Sequence, residues 1–221
     1  MIALPRFYAI LDAGRFSGVE AMLIAAEELV AGGCTLLQYR NKSGNARVML
    51  EQARELKRLP GPHAFGKDVK GWATPRVDNS IKLIMNDRAD LGLVADFDGV
   101  HVGQDDLLPE SVRKMIGPDR WLGVSTHNPD QLREAGLTSA DYLAIGPVFA
   151  TSSKDKPDPV VGLEGVRRAR ALTRKPLVAI GGITRANAAS VIEAGADSVA
   201  VISDLMRDPR KSAEEFFRIL R

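Results

Sequence analysis

The chain has 221 residues, of which 45% are hydrophobic and 26% are charged, and its formal net charge at pH 7 is +2. This is the composition of an ordinary globular protein, and its small, scattered positive charge does not indicate a nucleic-acid-binding surface. No apolar run reaches membrane-spanning length, and no basic N-terminal segment precedes a long apolar core. We therefore expect a cytoplasmic protein without membrane or nucleic-acid partners, in which the single cysteine, Cys34, is a small buried residue in a reduced compartment.

Short apolar runs that stop at Asn, Asp, Ser or Gly alternate along the chain with longer segments of helical periodicity. Runs with this length and these boundaries are typical of buried strands. Eight strands are predicted, at residues 7–11, 35–39, within 84–88, within 98–106, 121–124, 142–145, 177–180 and 198–202. Eight helices are predicted to follow them, at residues 21–31, 46–59, 88–95, 109–116, 129–135, 163–172, 187–194 and 212–220.

Regular alternation of strands and helices indicates parallel strands joined by helical crossovers. Eight repeats in about 220 residues predict an α/β fold, a single-domain (β/α)8 TIM barrel over residues 1–221. A doubly wound open sheet is the alternative, although no Gly-x-Gly-x-x-Gly follows the first strand. Residues 60–79 are rich in Gly, Pro and charge and lack a period, so a long surface loop is predicted there.

Two carboxylates, Asp87 and Asp106, follow the third and fourth predicted strands. Because parallel neighbours end at the same rim of a sheet, we expect these side chains to lie close together. Paired carboxylates suit a hard cation such as Mg²⁺, which often shares its oxygen ligands with substrate phosphates. The alternative is structural, with Asp87 capping the next helix and Asp106 lying in a turn.

Gly181 and Gly182 follow the seventh predicted strand, and Ser203 follows the eighth. In (β/α)8 barrels the loops after strands seven and eight frequently bind phosphate through backbone N–H groups. Glycine permits close approach of the backbone to the phosphate oxygens. These loops predict a phosphate site, but such sites occur in many unrelated barrel enzymes and do not identify a substrate.

The order of short motifs along the chain resembles that of the thiamine-phosphate synthase family. The resemblance extends over nearly the whole chain, from about residue 7 to the last predicted helix. The motifs are Gln38-x-Arg40-x-Lys42, Asn86-Asp87, Gly103-Gln104-x-Asp106, Gly123-Val124-Ser125-x-His127, Gly146-Pro147-Val148-Phe149-x-Thr151-x-Ser153-Lys154 and Ile180-Gly181-Gly182-Ile183.

The resemblance implies a transferase that joins a hydroxymethylpyrimidine diphosphate to a thiazole phosphate, with Mg²⁺ as cofactor. It also implies which residues bind each group. Those for the pyrimidine diphosphate are Gln38, Tyr39, Arg40, Asn41, Lys42, Asn86, Ser125 and Lys154. Those for the thiazole phosphate are Thr151, Ser152, Ser153, Gly182, Ile202 and Ser203. Asp87 and Asp106 would hold the metal, and Arg40, Lys42, Ser125 and Lys154 are expected to act in catalysis.

Two positions depart from the family pattern, since Asn41 replaces the usual Glu and Ser153 the usual Thr. The expected chemistry needs no protein nucleophile, because cationic groups can stabilise the charge that builds on a departing diphosphate. His127 is interpreted as a structural or substrate-positioning residue more readily than as a general base.

Three alternatives remain from the sequence. A thiazole tautomerase of the same superfamily would need neither the diphosphate nor the metal, and the retained motifs argue against it. Another phosphate-binding barrel isomerase or synthase would fit the loops after strands seven and eight. A non-catalytic sensor of thiazole phosphate or thiamine phosphate would bind without turnover. A homo-oligomer is left open by the sequence.

Overall fold

The computed structural model describes residues 2–61, 81–151 and 158–221. The predicted loop at 60–79 lies almost wholly outside these residues. Within them the strands are β1 Phe7–Asp12, β2 Leu36–Arg40, β3 Lys82–Asn86, β4 Gly99–Val102, β5 Trp121–Thr126, β6 Tyr142–Ile145, β7 Leu177–Ile180 and β8 Ser198–Val201. The α-helices are α1 Val19–Ala31, α2 Ala46–Lys57, α3 Ala89–Val94, α4 Pro109–Ile116, α5 Pro129–Gly136, α6 Gly162–Leu172, α7 Ala188–Glu193 and α8 Pro209–Ile219.

The strands form a closed parallel barrel in the order in which they occur along the chain. β1 pairs with β2 on one side and with β8 on the other, which closes the sheet. The predicted (β/α)8 barrel is thereby confirmed, and the open doubly wound sheet is wrong. All eight strands run in the same direction, so their carboxyl ends meet at one rim.

Two apolar layers lie on the two sides of this barrel, because successive strand residues face opposite sides of the sheet. The outer layer packs the strands against the helices and includes Phe7, Leu37 and Phe216. The inner layer fills the barrel, with Leu36 and Ile84 among its buried members. Each strand therefore places alternate residues toward the interior, where the site is built.

Helix boundaries differ from the prediction by up to three residues, at both N- and C-termini. The last helix begins at Pro209 instead of residue 212, because Asp208 caps it by accepting a hydrogen bond from the Lys211 N–H at 3.2 Å. Within the described ranges two short 3₁₀ helices were not predicted, and one of them, Ser203–Leu205, follows β8 after one intervening residue. In the described part of the chain, every helix is too short or too polar to cross a membrane.

We predict that the α8 contact with the barrel contributes strongly to stability. The Phe216 ring is fully buried and stacks on Phe7 with ring centroids 5.0 Å apart. Phe216→Ala should lower the free energy of unfolding by about 3–5 kcal/mol, measured by urea denaturation. Leu137→Ala is the control, since Leu137 is 91% exposed and its loss should change stability by under about 0.5 kcal/mol. Similar losses for the two variants would contradict this account.

Candidate active site

A cavity of about 340 Å³ opens at the carboxyl ends of the strands. Inward-facing strand residues form its floor, and the loops that follow the strands form its walls. Eight of the predicted substrate-binding residues line it, namely Gln38, Arg40, Asn86, Ser125, Thr151, Gly182, Ile202 and Ser203. Residues far apart in sequence thus meet in one space at the position expected for a barrel enzyme.

Arg40 is held at the cavity by Asp12, which was not predicted as a site residue. Asp12 ends β1 directly opposite Arg40 in β2, and Arg40 Nη1 donates to Asp12 Oδ2 at 2.6 Å. The Asp12 carboxylate is buried, whereas the Arg40 guanidinium retains access to the cavity. This short charge-assisted hydrogen bond fixes the direction of the guanidinium.

A second charged group contains Lys42, Asp87 and Asp106. Lys42 Nζ donates to Asp87 Oδ2 at 2.5 Å, and the Gly103 N–H donates to Asp106 Oδ2 at 2.7 Å. Burial raises the pKa of Asp106 above its ordinary value, and the hydrogen-bonded Asp87 carboxylate raises it further. The two carboxylates therefore lie together, as predicted from the strand ends.

Asp87 adopts a backbone conformation that is uncommon for residues other than glycine, with φ at 61°. Its N–H donates to the His101 carbonyl of the neighbouring strand β4 at 2.8 Å. The side chain does not cap α3, which starts without a side-chain cap. The helix-cap alternative for Asp87 is therefore wrong, and strain of this kind is typical of functional positions.

The donor set of these carboxylates fits a magnesium ion. Within the described residues no three His, Cys, Asp or Glu side chains converge to form a complete metal cage. Magnesium is commonly held by only one or two carboxylates, with phosphate oxygens and water completing its shell. Asp87 and Asp106 supply such a pair, and a divalent cation would relieve the repulsion that contributes to the raised pKa of Asp106.

Tyr39 and Asn41 lie on the opposite side of β2 from the cavity. The Tyr39 hydroxyl donates to Gln52 Oε1 of α2 at 2.5 Å, and Asn41 Nδ2 donates to the same oxygen at 3.0 Å. These two residues could therefore contact a substrate only through their backbone atoms. Three further predicted residues, Ser152, Ser153 and Lys154, lie outside the described residues.

The loops after β7 and β8 are tightly packed. Gly181 and Gly182 have φ angles of 98° and 64°. A Cβ atom on Gly182 would lie 2.5 Å from the Ala150 carbonyl oxygen and 2.7 Å from Phe149 Cβ. Gly182 is thus needed for contact between the loops after β6 and β7, and it lines the cavity.

His127 lines the same cavity and is fixed on both sides of its ring. Its Nδ1 lies 2.6 Å from the Gly146 carbonyl oxygen, and its Nε2 lies 3.5 Å from the Asp158 carboxylate. These contacts support a positioning role better than that of a free general base.

Three polar residues at the floor of the cavity were missed at the sequence level, namely Tyr8 and His101, which line it, and Tyr142. All are buried, and they connect Gln38 to Ser125 through hydrogen bonds. Burial lowers the pKa of His101 to about 4 and raises the pKa values of Tyr8 and Tyr142 above their ordinary range. The ring and both hydroxyls are therefore neutral at neutral pH.

We predict that His101 titrates near pH 4, well below its ordinary value of 6.5, in a histidine NMR titration of the folded protein. A His101→Gln variant would assign the resonance. Because the folded-state pKa is depressed, the unfolded chain binds more protons between about pH 6.5 and 4, and the free energy of unfolding should decrease as pH falls through this window. A midpoint near 6.5 would contradict the buried, neutral ring.

Comparison with known proteins places these features in a family. A family model described as thiamine monophosphate synthase matches residues 7–205. The chain is 57% identical to the thiamine-phosphate synthase of Koribacter versatilis over 99% of this chain and 97% of that protein. It is 42% identical to that of Chloroflexus aurantiacus over 90% of this chain and 83% of the relative.

A solved structure gives the same result. Thiamine phosphate pyrophosphorylase from Pyrococcus furiosus superposes with a TM-score of 0.79 at 32% identity, covering 97% of this chain and 95% of that one. The family predicted from the motifs is confirmed, and the chain belongs to the thiamine-phosphate synthase family.

Proposed function

We propose that this chain condenses 4-amino-2-methyl-5-(diphosphooxymethyl)pyrimidine with 4-methyl-5-(2-phosphooxyethyl)thiazole to give thiamine monophosphate and diphosphate. The observation that carries this proposal is that one cavity has two sides lined by different kinds of residue. Arg40, Asn86 and Ser125 lie on the β2, β3 and β5 side. The glycine- and serine-containing loops after β7 and β8 form the other side.

The first side suits the pyrimidine diphosphate. Arg40 is directed by Asp12, and Lys42, two residues further along the chain, is bonded to Asp87. Asn86 lines the cavity, and its buried Nδ2 has no hydrogen-bond partner among the described residues. A buried donor without a partner is costly unless a ligand accepts from it, so this group supports binding of an anionic substrate. We propose that Gln38 and Ser125 contact the pyrimidine, and that Lys154 contributes a further positive charge.

The second side suits the thiazole phosphate. The N–H groups of Gly182 and Ile183 donate to no acceptor in the described part of the chain. Ser203 begins a short 3₁₀ helix shortly after β8, a placement seen at phosphate sites of other barrels. We propose that Thr151, Ile202 and Ser203 contact this substrate together with Gly182, and that Ser152 and Ser153 do so from the adjoining segment.

Asp87 and Asp106 would hold the magnesium ion. When bound, the ion supplies positive charge that neutralises the diphosphate in the ground state and during its departure. The proposal for these two carboxylates is supported by their proximity, by the raised pKa of Asp106 and by the strained backbone at Asp87.

The proposed chemistry is a substitution at the pyrimidine methylene carbon. The bond from this carbon to the diphosphate oxygen breaks heterolytically, and both electrons leave with the diphosphate. The electron-rich aminopyrimidine stabilises the methylene cation, and the lone pair of the thiazole nitrogen then forms the new C–N bond. Arg40 and Lys42 stabilise the negative charge that grows on the leaving group. No proton transfer is required, which agrees with a site that lacks a free general base among the described residues.

The assignment is tested with purified protein, both substrates and Mg²⁺, by chromatographic detection of thiamine monophosphate and a coupled assay for diphosphate. Formation of both products in equal amounts is expected. Binding of the thiazole phosphate without reaction would instead indicate the sensor, and rearrangement of the thiazole without the pyrimidine would indicate the tautomerase.

Removing a proposed metal ligand should weaken the response to Mg²⁺. Asp106→Asn keeps the shape and the hydrogen bond to Gly103 but loses the charge, so we expect a rise in the Mg²⁺ concentration for half-maximal rate of about 10–100-fold. Asp105→Asn is the control, because Asp105 lies next to it and is exposed. Equal Mg²⁺ dependence of the two variants would exclude Asp106 as a ligand.

The two sides of the cavity should be separable by substitution. Arg40→Ala should weaken the pyrimidine diphosphate by about 10–100-fold, since it removes a charge-assisted hydrogen bond, while leaving the thiazole phosphate nearly unchanged. Ser203→Asp should do the reverse by repulsion, with Ser203→Ala as control. Isothermal titration of each ligand checks this, using a non-reacting pyrimidine. Substitution of Gly182 is unsuitable here, because any Cβ would collide with Phe149 and Ala150.

A further inference from the structure

Five side chains from five strands form a continuous hydrogen-bonded series through the barrel, which we call the relay. Gln38 Nε2 lies 2.8 Å from the Tyr8 hydroxyl, which lies 3.1 Å from the Tyr142 hydroxyl. Tyr142 lies 3.1 Å from His101 Nδ1, and His101 Nε2 lies 2.8 Å from Ser125 Oγ. The two ends of the relay line the cavity, as do Tyr8 and His101, and all three middle members are buried.

With Gln38 Nε2 facing Tyr8, only one direction along the relay gives every buried proton an acceptor among the described residues. Gln38 Nε2 can only donate, so Tyr8 accepts from it and passes its own proton to Tyr142. Tyr142 then donates to His101 Nδ1, which must be the unprotonated nitrogen. His101 Nε2 carries the proton and donates to Ser125 Oγ. A protonated Nδ1 would turn the Tyr142 proton toward Tyr8, and the Tyr8 proton would then have no acceptor among the described residues.

This direction fixes what each end offers to the cavity. Gln38 directs its amide N–H₂ group toward Tyr8, which leaves Oε1 as an acceptor. No described residue donates a hydrogen bond to this oxygen. Ser125 Oγ already accepts from His101, so its own proton is free to be donated. Hydrogen bonds that run in one direction polarise one another, which strengthens the acceptor at one end and the donor at the other.

The neighbouring strand residue Gly123 makes room for the centre of the relay. It pairs with His101 on one side and Tyr142 on the other. A Cβ atom there would lie 2.2 Å from Tyr142 Cζ and 2.4 Å from His101 Nδ1. If packing were the only requirement, phenylalanine would serve in place of Tyr8 and Tyr142. Burying two hydroxyl groups is unfavourable unless both are hydrogen-bonded.

We propose that Tyr8, Tyr142 and His101 are positioning residues that set the hydrogen-bonding polarity of the pyrimidine subsite. They hold Gln38 as an acceptor for the exocyclic amino group and Ser125 as a donor to a ring nitrogen. The inference rests on the proposed function, because a 4-aminopyrimidine offers this pattern. A 4-oxopyrimidine offers the reverse, an acceptor oxygen and a ring N–H, so the relay makes the site selective for the amino compound.

The test compares two non-reacting ligands by isothermal titration, the aminopyrimidine diphosphate with its scissile oxygen replaced by CH₂ and the 4-oxo counterpart. The wild type should prefer the amino compound by more than about a hundredfold. Tyr142→Phe interrupts the relay without loss of volume and should reduce this preference about tenfold or more. Tyr8→Phe should do the same and serves as a second variant where Tyr142→Phe does not fold.

Thr126→Val is the matched control, because it also removes a buried hydroxyl group. The Thr126 hydroxyl of β5 donates to the Ala144 carbonyl at 2.8 Å and does not contact the relay. Its preference should equal that of the wild type. A ¹⁵N NMR spectrum of histidine-labelled wild type supplies a readout that requires no ligand, and it should show the His101 proton on Nε2.

The relay and the proposed function fail in different ways. A proton on His101 Nδ1, or unchanged selectivity in folded Tyr142→Phe and Tyr8→Phe, would overturn the relay even where the wild type makes thiamine monophosphate. A wild type that binds neither pyrimidine and forms no product would overturn the proposed function and with it the substrate assigned to the relay.

Discussion

The closed parallel barrel determines which side chains can meet at the site. Residues along each strand alternate between the interior and the helix layer, and all strands end at the same rim. Gln38 and Arg40 face inward because they are two residues apart in β2, and Asp12 meets Arg40 because β1 and β2 are in register there. A shift of one residue in either strand would turn these groups into the apolar layer beneath the helices.

The two cationic residues of the rim are held to different degrees, and this difference suits different tasks. The Arg40 side chain is 19% exposed and is bonded to a buried carboxylate at 2.6 Å. Lys42 is 56% exposed, and exposed ion pairs contribute little to stability. Arg40 is therefore preorganised, whereas separating Lys42 from Asp87 would cost little.

Much of the fold was predictable from the sequence, because each buried strand is short and ends at a polar residue or glycine. The carboxylate pair was predictable for the same reason, since β3 and β4 are neighbours. The supporting residues were not, because a tyrosine inside a buried strand, such as Tyr8 or Tyr142, resembles an ordinary apolar core residue. Only the register of β1, β4 and β6 shows that these hydroxyls meet His101. The bound cation stays a prediction.

The alternation of side-chain direction along β2 and just beyond it also explains why the chain tolerates Asn41, where the family usually has Glu. Residues 39 and 41 face away from the cavity, whereas Gln38 and Arg40 line it. Asn41 Oδ1 accepts from the Ser43 N–H at 2.8 Å, and its Nδ2 donates to Tyr39 and Gln52. The substitution therefore changes the hydrogen bonds that join β2 to α2, and it leaves the side chains that line the cavity unchanged.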